Sequence, residues 1–169
     1  MNKSGFIKLA AFLPLLLFLI LDLLALLCSC LFSLSLRSVP SLICVWGTFF
    51  SICLACVKAT LSMFRHLHFR GARLISFLCS AAVAIFATVG CLFLFFWSAF
   101  AYQPEHIVEK NDVLMLARVS SFLDESVSYY VYTGPIFYGK EVGYAYYGGG
   151  SGDPIADGTS PLYEHFWMQ

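Results

Sequence analysis

The chain has 169 residues, of which 60% are hydrophobic and only 12% charged, with a mean hydropathy of +0.80. Soluble domains are about 45–50% apolar and about 25% charged, so this composition excludes an ordinary soluble domain and implies lipid as the solvent. The formal net charge is zero, but it hides a division. Up to Ala101 there are seven basic residues against Asp22 alone, and beyond it three basic residues stand against nine acidic ones. Two regions of opposite charge are expected to occupy different compartments.

Three apolar runs come first in chain order, over about residues 6–36, 39–64 and 72–102. Each exceeds the roughly 20 residues a helix needs to cross about 30 Å of hydrocarbon. The first follows Lys3 and Lys8 and is far longer than the usual signal-peptide core, so it is expected to be retained. The connection between the second and third runs carries Arg65, Arg70 and Arg73 with His66 and His68, whereas the turn near Ser38 carries only Arg37. The positive-inside rule then puts this connection and the N-terminus in the cytoplasm, and three spans deliver the C-terminal tail outside. Ala99-Phe100-Ala101 has the small-x-small form that signal peptidases cut, although the span before it is longer than their usual substrate.

Asp22 lies near the middle of the first span, and an ionisable residue at that depth is costly enough to mark a functional candidate. At 100° per residue it shares a narrow stripe with Ala25, Ser29 and Ser33, which lets helices approach closely. The second span offers Gly47, Ser51, Ala55 and Ala59, with Lys58 beside them. Two arrangements follow: an intramembrane Asp22–Lys58 pair between the first two helices, or Lys58 reaching the headgroups with Asp22 protonated against a serine. All seven cysteines lie in the spans, and Cys53 and Cys56 read as small buried residues with no redox or zinc role.

From Glu105 the pattern changes to short alternating segments bounded by turn residues, the signal of strands. His106–Lys110, Val113–Val119, Val127–Thr133 and Glu141–Tyr147 predict an antiparallel meander of three or four strands over residues 103–150. The expected fold is therefore an α+β membrane protein, three transmembrane helices over 1–102 followed by a small antiparallel β-meander. All nine tyrosines fall at or after Tyr102, and Tyr130, Tyr132 and Tyr138 are expected on the exposed face. Residues 151–169, after the glycine-rich turn, are expected to form a flexible tail on which Phe166 and Trp167 have the option of docking. The glycine run lacks the Lys-Ser/Thr ending of a phosphate loop, and Asp153 and Asp157 are weak calcium candidates.

Pro104-Glu105-His106, then Val108-Glu109-Lys110, Ser121-Phe122-Leu123-Asp124, Tyr129-Tyr130, and Tyr146-Tyr147-Gly148 with the later Asp153-Pro154 together resemble an uncharacterised family of small multi-span membrane proteins of Gram-positive bacteria. The resemblance covers chiefly the tail. It implies a plasma-membrane location and a fold unit, with no catalytic residues to carry over. The chain departs from the pattern at Asn111–Leu114 and after Pro154.

No catalytic constellation, cofactor motif or metal-ligand set is legible, and an acidic exported tail disfavours nucleic acid. The sequence therefore leads to a non-enzymatic multi-pass protein that anchors an extracytoplasmic binding or interaction module for an envelope protein or glycan. The alternative is an oligomeric channel or proton-linked carrier organised around Asp22.

Overall fold

A computed structural model describes residues 12–66, 72–110, 112–150 and 152–167. The N-terminal lysines and the basic connection at 67–71 lie outside the described residues. Three helices come first: α1 (Leu13–Phe32), α2 (Ser38–His66) and α3 (Ala72–Ala101). Each contains a stretch long and apolar enough to cross a membrane, of 20, 25 and 28 residues. The chain divides into two compact units, one built from α1 up to Leu24 with Ile43–Ser98, the other from Ala25–Leu42 with everything after Ser98.

In the first unit, aromatic rings rest on glycines. A Cβ at Gly47 of α2 would fall inside the Phe18 ring of α1, and one at Gly90 of α3 would meet the Phe49 ring of α2. The indole of Trp46 donates to Ser98 Oγ at 2.9 Å, a polar tie between α2 and α3. Large apolar side chains on all three helices, such as Leu16, Leu23, Val57, Leu61, Phe93 and Phe96, lie exposed, as expected for surfaces whose solvent is hydrocarbon.

In the second unit, α1 stops four residues before its apolar run does. Ser33 takes a left-handed backbone (φ 54°), and the Leu34 N–H donates to the Cys28 carbonyl at 3.3 Å. The chain then extends as β1 (Ser35–Leu36), which pairs antiparallel with β5. Hydropathy cannot detect this stop, because Leu34 and Leu36 continue the apolar run after the helix has ended.

The strands after α3 are β2 (Glu105–Lys110), β3 (Val113–Ser120), β4 (Asp124–Tyr132), β5 (Phe137–Gly149) and β6 (Tyr163–Phe166). They form one antiparallel sheet in the order β1-β5-β4-β3-β2, with β6 also on β5. The expected meander is present as β2 to β5, and two further strands extend it. Residues 163–166 belong to the sheet, so the segment read as a flexible tail is held in register, with Gly143 opposite Phe166 and Tyr146 opposite Tyr163.

One sheet face carries the core: Met115, Ala117, Val119, Val127, Tyr129, Val142 and Ala145, covered in part by Ile155 and Phe166. Gly143 makes this closure possible, because the Phe166 ring occupies the space a Cβ would take. Phe166 also packs on Tyr129 with centroids 5.0 Å apart. The sheet curls far enough that its first long strand meets its last, through an ion pair from Lys110 of β2 to Glu164 of β6. A second tie joins His106 Nε2 to Asp153 Oδ2 at 2.7 Å.

Candidate functional site

The opposite face of the sheet gathers the charged and aromatic groups. Glu105, the first strand residue after α3, stands opposite Arg118 of β3. Its carboxylate accepts from Arg37 Nε at 2.7 Å, and from the Ser38 backbone N–H and hydroxyl, both at 2.8 Å. Ser38 opens α2, so the carboxylate also sits at the positive end of that helix. Burial raises the Glu105 pKa, but the hydrogen bonds from Arg37 and Ser38 and the Arg37 charge outweigh it and hold the carboxyl below its ordinary value.

Arg118 lies on the other side of Glu105, with Nε 3.5 Å from Oε1. That contact is electrostatic, since the buried Nε has no hydrogen-bond partner among the described residues. Its guanidinium donates instead to the Tyr138 hydroxyl and stacks over the Tyr138 and Tyr130 rings, 4.9 and 5.8 Å from their centroids. The two rings meet edge to face at 4.7 Å. Tyr138 is only 8% exposed, which corrects the expectation that Tyr130, Tyr132 and Tyr138 form an open contact set. Tyr132 is half-buried and pairs across the strands with Tyr138. Tyr130 and Tyr138 are drawn inward because Arg118 offers a charge for their ring faces and a donor for the Tyr138 hydroxyl.

Further along the same face the half-buried Tyr144 and Tyr146 lie beside the exposed Tyr163, His165 and Trp167. Tyr144 stands opposite His165, and Tyr146 opposite Tyr163. Tyr163 is 58% and Trp167 50% exposed, and the rings of His165 and Trp167 lie 5.9 Å apart. Trp167 is fixed by its indole N–H, which donates to the Glu141 carbonyl at 3.0 Å. Tyr146 reaches the Asp124 carboxylate at 3.5 Å, and that negative charge, followed by burial, raises its pKa. The result is a row of rings with polar tips over β5 and β6. Period-two alternation gave a signal for Tyr144 and Tyr146, but no signal placed Tyr163, His165 and Trp167 beside them, because β6 is four residues long and follows a loop.

In the other unit, Asp22 Oδ2 accepts a hydrogen bond from Thr48 Oγ1 at 2.7 Å. Asp22 is ten residues before the end of α1 and Thr48 ten residues after the start of α2, so the two match in depth. Lys58 stands ten residues beyond Thr48, about 15 Å further along α2 at 1.5 Å per residue. The expected depth match of Asp22 with Lys58 assumed a helix running to Leu36, and the early end of α1 shifts the register toward Thr48.

His106 is engaged by Asp153, whose carboxylate also accepts from the Ala156 N–H at 3.2 Å. Burial raises the Asp153 pKa, but the His106 hydrogen bond leads the contacts that bring it below its ordinary value. Among the described residues no cluster of three or more His, Cys, Asp or Glu side chains is gathered that could hold a metal ion.

Three apolar helices and an antiparallel sheet carrying an open aromatic row define the class, an α+β protein compatible with a membrane setting. No protein-family model, no curated protein and no solved structure matches the chain.

Proposed function

We propose that this chain is a non-enzymatic multi-pass protein of the plasma membrane whose helices anchor an extracytoplasmic β-rich module that binds an envelope protein or glycan. The supporting observation is the row formed by Tyr144, Tyr146, Tyr163, His165 and Trp167. These rings lie on the face opposite the core, and Tyr163 and Trp167 remain at least half exposed. Rigid rings with polar tips suit sugar faces and protein surfaces, because they offer wide contact area for little lost side-chain freedom. The orientation rests on the basic residues of the sequence, with the N-terminus cytoplasmic and the tail outside.

The test is binding of the full-length protein in nanodiscs to purified wall glycan and, separately, to solubilised envelope protein. Tyr146→Ser with Tyr163→Ser is expected to weaken retention at least about tenfold, the loss of roughly 1.4 kcal/mol or more. Retention unchanged by the double substitution, or no retention of the native protein by either preparation, would remove the proposal. The carrier reading draws on Asp22 alone, and a hydroxyl partner in Thr48 favours a role for Asp22 as a polar tie between helices.

A further inference from the structure

We infer that the β3–β4 hairpin tip, Ser121-Phe122-Leu123, enters the lipid leaflet that α3 leaves, and that a phospholipid occupies the groove beside it. Tight turns favour Gly, Asn, Asp and Pro for their backbone geometry, yet this one presents Phe122 and Leu123 at 71% and 77% exposure. Nothing in the hairpin's own packing requires them, since the core lies on residues 115–119 and 127–129.

The occupant follows from continuity with α3. Phe100, in the last turn of that apolar helix, meets Phe122 edge to face with centroids 5.4 Å apart, and is itself 64% exposed. A ring in contact with the end of a membrane-crossing stretch lies at the boundary of hydrocarbon and headgroups, where aromatic side chains are enriched. Between the hairpin and the end of α3 is a groove of about 170 Å³, whose lining includes Phe100, Phe122, Tyr102, Gln103, Ser120 and Ser121. Apolar rings beside hydroxyls and an amide match the change from acyl chain to ester and headgroup along a phospholipid. The inference rests on α3 as a membrane span and is independent of the ligand of the aromatic row.

The experiment uses the full-length chain in phosphatidylcholine nanodiscs, with Trp46, Trp97 and Trp167 replaced by Phe and a single probe introduced as Leu123→Trp. Phe122→Trp, which keeps a ring against Phe100, is the second probe, and Asp157→Trp, on an exposed turn, is the control. Exchanging the lipid for one brominated near the top of its acyl chains is expected to reduce emission from positions 122 and 123 at least twofold and to leave position 157 unchanged. Emission at 122 and 123 that ignores the brominated lipid and is quenched by aqueous acrylamide as readily as at 157 would overturn the inference. Equal bromine quenching at all three positions would also overturn it, because the hairpin would then have no special place. Loss of glycan or protein retention without a change in this pattern would count against the proposed function alone.

Discussion

Replacing Glu105 with alanine tests the strongest polar junction in the β unit. The side chain is 8% exposed, and it is the shared counter-charge of Arg37 and Arg118, themselves 18% and 17% exposed. Removing one member of a buried ionic group costs about 3–5 kcal/mol, because the remaining charges stay desolvated without a partner. The partial exposure of both arginines sets the expectation near the lower end, about 3 kcal/mol. For a β unit of this size that corresponds to a fall in melting temperature of roughly 12–24 °C. Glu105→Gln keeps the shape and one acceptor for Ser38, so it should cost about half as much. The assay is protease resistance of the β unit as a function of temperature, on the full-length protein in nanodiscs. Arg37→Ala should cost less in the Glu105→Ala background than alone, by at least about 1 kcal/mol of coupling. A Glu105→Ala melting temperature within about 4 °C of the native value, or strictly additive losses, would refute this reasoning.

Three further outcomes follow from the same structure. Gly143→Val should expel the Phe166 ring and release β6, freeing Trp167 from the Glu141 carbonyl, and with Trp46 and Trp97 replaced by Phe a fall in Trp167 emission anisotropy reports it; an unchanged anisotropy would mean that the ring and strand are not held as described. Asp22→Asn and Thr48→Val, singly and together, should show coupling of about 0.5–1.5 kcal/mol in detergent unfolding, and additivity would exclude the hydrogen bond as a helix tie. Glu105 and Asp153 are both held below their ordinary values of 4.5 and 3.8, so their contribution is full at neutral pH. It is lost as the pH falls through the lower folded values. Acid unfolding monitored by protease resistance should therefore be shallower in Glu105→Gln than in the native protein, and identical acid limbs would contradict the ionic role.

The helices were legible because about 30 Å of hydrocarbon requires a length and composition that few other structures share: Leu13–Phe32 and Ala72–Ala101 fall inside the runs read at 6–36 and 72–102, and Ser38–His66 overruns the one read at 39–64 by one residue at its start and two at its end. The four central strands were legible from alternation such as Met115, Ala117 and Val119. What the sequence concealed depends on contacts between distant segments. Ser35–Leu36 becomes a strand only because β5 offers an edge, and Glu105 acquires its role only because Arg37 and Ser38 arrive from 67 or more residues away. Tyr138 looked like a surface residue because alternation assigns a face without saying whether that face is covered; Arg118 covers it. The match of Asp22 with Thr48 was hidden for a similar reason, since a left-handed Ser33 ends α1 without a hydropathy break.

The proposed function requires three spans with the β unit outside the cell. Single cysteines at Asp157 and at His68, in a chain whose seven native cysteines are replaced, can be challenged in intact cells with a membrane-impermeant maleimide. The account predicts labelling at 157 in intact cells and at 68 only after permeabilisation. Labelling at 68 with protection at 157 would contradict it, leaving the aromatic row in the cytoplasm with no access to an envelope ligand.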